Sequence, residues 1–156
     1  MNTEEAMTLH LYNSLGRAKS EFVPLNSSDV KVYVCGPTVY SDIHIGNARP
    51  IIVFDVLVRL LRYFFSHVTY VRNITDVDDK MIKAAAEIGI STAELADRNI
   101  DAYMEEMDRL NVLHAHKYPR ATENIQSIVE MIEELVKRSF AYCVDGNVYF
   151  RVRKYT

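Results

Sequence analysis

Residues 31–74 read KVYVCGPTVYSDIHIGNARPIIVFDVLVRLLRYFFSHVTYVRNI. Lys31 to Cys35 is a short β-branched and aromatic run, which predicts a strand. Gly36-Pro37 stops it, and a loop follows to about Gly46. Residues 48–65 change to a helical pattern. Asp55, Arg59, Arg62 and Ser66 recur at spacings of 4, 3 and 4 and form one narrow polar stripe. Apolar residues such as Ile51, Val53, Val56, Leu57, Leu60 and Leu61 fill the rest of the circumference. A helix of this kind is expected to be mostly buried, against a sheet and other helices. Val68 to Ile74 is a second strand. Strand, buried helix, strand is a βαβ unit, so the fold class is α/β, with a parallel sheet and flanking helices.

The flanks are read from this unit outward. In the lead-in, Leu9 to Tyr12 suits a short strand and Asn26-Ser-Ser-Asp29 a turn. Three helices are expected downstream. The first runs from Thr75 or Asp76 to Gly89, a good residue just past a helix end. The second opens on Ser91-Thr-Ala-Glu94, a capping box, and carries Ala96, Ile100, Tyr103, Met107 and Leu110 on one face. The third follows Pro119. Then Phe140 to Val144 and Val148 to Val152 flank Asp145-Gly-Asn147, a hairpin across which Tyr142 and Tyr149 pack. Two parallel strands are too few to cover this much apolar helix, so the sequence reads as truncated.

Composition narrows the class. Of the 156 residues 49% are hydrophobic and 25% charged, which excludes disorder and fibrous repeats. The 18 basic and 21 acidic residues leave a net charge of −3, without the basic excess of a free-standing nucleic-acid binder. Cys35 and Cys143 are far apart and make no disulfide framework, which suits a reducing, cytoplasmic setting. Met1 to Met7 is acidic and lacks the pattern of a signal peptide. The apolar stretch from Ile51 to Phe65 is broken by Asp55, Arg59 and Arg62, so no membrane span or membrane partner is expected.

The chemistry is densest between Cys35 and Asn47. This segment leaves the carboxyl end of the first strand and enters a helix, the edge where ligands bind in parallel α/β sheets. His44 and Asn47 are three apart at the helix opening, and Gly46 lets the backbone come close. With the helix N-terminus they make a phosphate site; the alternative is that His44 only caps the helix. Taken by itself, Cys35 reads as a small buried hydrophobe at a strand end, the commonest fate of a free cysteine. Thr75-Asp-Val-Asp-Asp79 suits a helix start, with Thr75 as N-cap, better than an acidic metal site. His114 and His116 alternate on a loop, and Cys143 reads as structural.

His44-Ile-Gly-Asn47 resembles the HIGH motif of class I aminoacyl-tRNA synthetases. Cys35-Gly-Pro-Thr-Val-Tyr40 before it and Tyr70-Val-Arg-Asn-Ile-Thr-Asp-Val-Asp-Asp-Lys80 after it resemble the amino-terminal part of the cysteinyl-tRNA synthetase family, as do Leu11-Tyr-Asn-Ser-Leu15 and Pro119-Arg-Ala-Thr122. The resemblance implies a partial Rossmann-like catalytic domain over 30–120, a lead-in over 1–29, and a helix and hairpin over 121–156 that begin a connective insertion. It implies activation of cysteine with ATP and magnesium to the adenylate, then transfer to tRNA(Cys). It places His44 and Asn47 as catalytic contacts to the ATP phosphates, with Gly46 beside them. Gly36, Thr38 and Thr75 would line the amino-acid pocket, and Cys35 would be one ligand of a zinc ion that binds the substrate thiol. The family usually has His where Asn47 stands. Its three further zinc ligands, its KMSKS loop and its anticodon-binding region are not among these 156 residues. Two other readings stay open: a related ligase joining activated cysteine to an amino sugar, and a nucleotide-binding module without catalysis.

Overall fold

The computed structural model describes residues 8–155. The acidic stretch Met1 to Met7, read above for a leader pattern, lies outside the described residues. The centre is the expected βαβ unit. Strand β3 (Val30–Val34) pairs in parallel with β4 (Val68–Arg72), Val30 opposite Val68 and Val34 opposite Arg72. The ladder runs on past both strands. Thr75 donates its N–H to Pro37 O at 3.0 Å, and Val39 donates to Thr75 O at 3.2 Å.

A third extended segment lies along the other edge of β4 and was read as loop. His116 N donates to Tyr70 O at 2.8 Å, Arg72 N to Lys117 O at 3.1 Å, and Ile74 N to Pro119 O at 2.9 Å. The histidines and Pro119 hid it. At Pro119 the ladder uses the carbonyl, so the missing N–H costs nothing.

Helix α1 (Ile45–Phe64) crosses between the strands and starts three residues earlier than expected. It buries Ala48, Ile51, Asp55, Val58 and Leu61, one face at helical spacing. Val58 packs with Val34 and Tyr70, and Leu61 with Val30 and Val68. Two expectations fail here. Asp55 belongs to the polar stripe by sequence yet is buried, because the chain after α3 (Thr92–Arg109) needs its carboxylate. Leu113 N donates to Asp55 Oδ1 at 2.7 Å, and Arg59 Nε donates to Oδ2 at 2.8 Å. The apolar circumference is not buried all round either: Val53, Val56 and Leu60 are exposed, since the described sheet covers one face only.

Adjacent leucines make this measurable. Leu61 is 2% exposed and Leu60 37%. Leu61→Ala is expected to cost about 2–5 kcal/mol, through lost burial plus a cavity. Leu60→Ala is expected to cost less, about 1–2 kcal/mol, because over a third of that residue already meets water and no closed cavity is left. Urea unfolding of both variants checks the contrast, and equal costs would contradict the assignment of the buried face.

Helix α2 (Asp79–Ile88) opens at Asp78, whose side chain accepts from Lys80 N at 2.7 Å. Thr75 is not the cap, as was expected, because both its backbone groups are held in the extended ladder. Asp76 is not in the helix either. It is buried and accepts from Thr122 N at 3.0 Å and Thr122 Oγ1 at 2.5 Å, pinning the turn before α4 (Ile125–Lys137). Gly89 ends α2 with φ +72°, in the left-handed region that glycine enters freely.

Ser91 caps α3 by accepting from Glu94 N at 3.1 Å. Ala96, Ile100, Tyr103 and Met107 are buried as read. Leu110 sits at the helix end, beyond the packed face, and is 39% exposed. Strands β5 (Ala141–Val144) and β6 (Asn147–Phe150) form the expected hairpin, with Tyr142 opposite Tyr149 and ring centroids 5.7 Å apart. Cys143, read as structural, is exposed in β5. The lead-in is a hairpin of β1 (His10–Asn13) and β2 (Ala18–Glu21). Its second strand was not anticipated, since Ala-Lys-Ser-Glu has no apolar alternation and is exposed throughout. Among the described residues no helix is long and apolar enough to cross a membrane.

Candidate active site

The carboxyl end of β3, the loop after it and the first turn of α1 converge at one end of the sheet. His44 is the N-cap of α1, with extended backbone (φ −113°, ψ 170°). Its Nδ1 accepts from Gly46 N at 3.0 Å, and Asn47 Oδ1 accepts from His44 N at 3.3 Å. This is a reciprocal capping box built from His and Asn. Capping and phosphate contact therefore do not compete. With Nδ1 accepting, a neutral imidazole carries its proton on Nε2, and the ring is exposed. Asn47 likewise spends its carbonyl on the cap and keeps its amide N–H groups. Two side-chain donors and the positive end of the helix dipole are left for an anion, the N–H groups of Gly46, Asn47 and Ala48 being bonded to His44.

Gly46 makes this possible. A Cβ there would lie 2.7 Å from His44 Cε1 and 2.9 Å from Nδ1, so any side chain displaces the imidazole from its capping position. Gly36 is tighter still: a Cβ would lie 1.5 Å from the carbonyl oxygen of Asn73. Gly36 N also donates to Asn73 Oδ1 at 2.8 Å, which ties the loop after β3 to the end of β4.

Two small cavities flank Asn47. One, of about 80 Å³, is lined by Val34, Cys35, Gly36, Pro37, Asn47, Pro50, Ile51 and Arg72. The other, of about 210 Å³, is lined by Pro37, Thr38, Tyr40, Ser41, Asp42, Ile43, Asn47 and Lys80. Cys35, Gly36 and Asn47 thus meet in the first, and Thr38 and Asn47 in the second. His44 and Thr75 line neither; Thr75 faces Thr38 across the extended ladder.

Cys35 is exposed, its Sγ 3.7 Å from Gly36 O. It is not a buried hydrophobe. The thiol is accessible, but a zinc centre needs about four donors. Among the described residues no group of three or more His, Cys, Asp or Glu side chains could hold a metal. The residues present therefore do not fit a zinc site by themselves. The acidic run is spent on Thr122 and on the α2 cap, as described. His114 lies 2.7 Å from Asp108, and His116 Nδ1 accepts from Tyr70 N at 2.9 Å, so both histidines hold the chain that follows α3.

Sequence reading missed Arg72 and Lys80. Lys80 stands 5.4 Å from the Tyr40 ring centroid at the larger cavity. Arg72 closes β4 and is 3% exposed, with Nη1 donating to Tyr103 Oη at 3.0 Å. Burial pushes the Tyr70 phenol up to about 12, and burial raises Tyr103 as well, so both are neutral at pH 7. The available signal was a cation ending an otherwise buried strand, Val68-Thr-Tyr-Val-Arg72.

The family described as tRNA synthetases class I (C) catalytic domain matches residues 21–156. The chain belongs to that family. Its α/β fold with a parallel sheet is that of a class I synthetase catalytic domain. It is 53% identical over 149 residues to proteins named cysteine–tRNA ligase from Bacillus cereus and Bacillus thuringiensis, a match that covers 96% of this chain. The chain spans 32% of the length of those relatives. A solved Mycobacterium tuberculosis methionyl-tRNA synthetase in complex with methionyl-adenylate superposes with a TM-score of 0.62 at 21% identity, covering 77% of this chain and 28% of that one. At that identity the likeness is one of fold.

Proposed function

We propose that this chain carries the adenylate-forming end of a cysteine–tRNA ligase, which activates cysteine with ATP and passes it to tRNA(Cys) in the cytoplasm. The observation that carries the reading is the accessible Cys35 sharing a cavity wall with Asn47, beside the α1 N-terminus, in a chain whose named relatives are cysteine–tRNA ligases. The reaction has a balanced form. A carboxylate oxygen of cysteine attacks the α-phosphorus of ATP, and pyrophosphate leaves with the electron pair of the broken P–O bond. A tRNA hydroxyl then attacks the carbonyl carbon of the mixed anhydride, AMP leaves with the electron pair of the broken C–O bond, and the hydroxyl proton passes to solvent.

This chain's own groups act on charge and position. The Nε2–H of His44 and the amide of Asn47 donate to phosphate oxygens where negative charge builds, with the helix N-terminus behind them. The cap pre-orients both side chains, so little reorganisation is needed on binding. Magnesium would neutralise charge on the ATP phosphates, and no residue here is assigned to hold it. Cys35 is proposed as one donor to zinc, with no step routed through the metal. Gly36, Thr38 and Thr75 shape the amino-acid side of the site. Asn47 in place of His keeps a donor for phosphate and supplies the carbonyl that completes the capping box.

An ATP titration followed by backbone amide shifts tests the reading. The largest shifts are expected at Gly46 and Asn47. His44→Ala is expected to weaken ATP about tenfold or more, the effect of one hydrogen bond to a charged group. Shifts confined to the β5–β6 hairpin, or unchanged affinity in His44→Ala, would overturn it.

A further inference from the structure

Arg72 carries a buried charge that the fold does not neutralise. The guanidinium carbon lies 5.6 Å from the Tyr70 ring centroid, and Nη1 bonds the Tyr103 hydroxyl. Both phenols are neutral at pH 7, held so by burial. Nε is buried and has no partner. None of the ion pairs among the described residues includes Arg72. The two buried carboxylates are committed elsewhere, Asp55 to Arg59 and Leu113 N, Asp76 to Thr122. A buried cation without a counter-charge is strongly disfavoured, and a bound anion removes the penalty.

The same residue lines the cavity of about 80 Å³ shared with Cys35, Gly36 and Asn47, and is the one cation on that wall. The volume matches about two or three waters at roughly 30 Å³ each, which suits a carboxylate group. We propose that Arg72 is the carboxylate-binding residue of this cavity, its Nε–H donating to one oxygen of the amino-acid substrate. This deepens the reading given under Proposed function and rests on it. It also fits the chemistry: one oxygen is held by the guanidinium, and the other stays free to attack phosphorus. A guanidinium suits this better than an ammonium, because its donors are fixed in a plane that matches a carboxylate.

The test follows the Arg72 Nε–Hε resonance in the isotope-labelled chain during titrations with L-cysteine, cysteamine and acetate. Cysteamine keeps the thiol and amine but lacks the carboxylate. L-cysteine and acetate are expected to shift the resonance and cysteamine to leave it in place. L-cysteine is expected to bind at least tenfold tighter than cysteamine. Arg72→Lys should bring that preference within about twofold, while Tyr103→Phe, which removes a contact but no charge, should keep it. If Arg72→Lys does not fold, as judged by its melting curve, the wild-type and Tyr103→Phe titrations still decide. A resonance that ignores both carboxylates, or equal binding of cysteine and cysteamine, overturns the proposal. A resonance moved by pyrophosphate and not by acetate makes this a phosphate site and overturns it too. Acetate shifting the resonance, with cysteine binding no tighter than acetate, keeps the carboxylate role and sinks the cysteine reading instead.

Discussion

Gly36→Ala is expected to cost about 3–5 kcal/mol of stability, a large share of the roughly 5–15 kcal/mol that holds a domain of this kind together. The added Cβ would sit 1.5 Å from the carbonyl oxygen of Asn73 and 2.7 Å from its carbon. Both are backbone atoms, so no side-chain rotation relieves the overlap. The chain must separate where β3 and β4 run out, and two bonds stretch with it: Gly36 N to Asn73 Oδ1 at 2.8 Å and Thr75 N to Pro37 O at 3.0 Å. Other glycines act as controls. Gly16 has nothing within 4 Å of its missing Cβ, so Gly16→Ala is expected within about 0.5 kcal/mol of the parent. Gly89 also has open space but φ +72°, so Gly89→Ala carries only backbone strain of about 1 kcal/mol. Denaturant midpoints are expected to fall in the order Gly16→Ala, Gly89→Ala, Gly36→Ala. A Gly36→Ala protein as stable as Gly16→Ala would mean the two segments do not approach as described.

The βαβ unit was legible because its signals are local. Lys31 to Cys35 and Val68 to Ile74 are β-branched and aromatic runs, and the residues between them switch to helical spacing. Caps were legible in part: Ser91 and Gly89 act as read, whereas Thr75 does not. Sequence shows that Thr75 can cap, but not that Pro37 and Val39 already hold its backbone. The same limit explains Asp55. Its spacing puts it on a polar stripe, and only the arrival of Leu113 from 58 residues away buries it, while Arg59, Arg62 and Ser66 of that stripe stay exposed. The extended segment at 116–121 lacks any apolar alternation, since its order comes from the edge of β4. Arg72 was quoted inside a motif without a role, because what makes it informative is missing counter-charge. Motif spacing brought Cys35, Gly36 and Asn47 to one cavity wall; that His44 can cap was legible too, but that Nδ1 does so, which fixes the tautomer, depends on the loop geometry.

The 156-residue chain alone is expected to show no cysteine-dependent ATP–pyrophosphate exchange above that of its His44→Ala variant. Among the described residues, the donors for phosphate are His44 Nε2, Asn47 Nδ2, Lys80 Nζ and the positive end of α1, gathered around an open edge, and His44 is exposed to water. Its cavities of about 80 and 210 Å³ fall below the roughly 300–1,000 Å³ of pockets that enclose a ligand. ATP and cysteine would each be held at an edge, with the angle between attacking oxygen and phosphorus unrestrained. Positioning supplies up to about 7–11 kcal/mol in reactions that join two bound groups, so its loss is worth many orders of magnitude in rate. A thiol anchor does not replace it, since Cys35 is a single donor where about four are needed. The measurement is isotope exchange between pyrophosphate and ATP at saturating cysteine, with serine as the hydroxyl control. Exchange that requires cysteine and vanishes in His44→Ala would show that the edge of this sheet aligns both substrates unaided. The donors at His44 and Asn47 would then account for more of the catalysis than their open geometry allows.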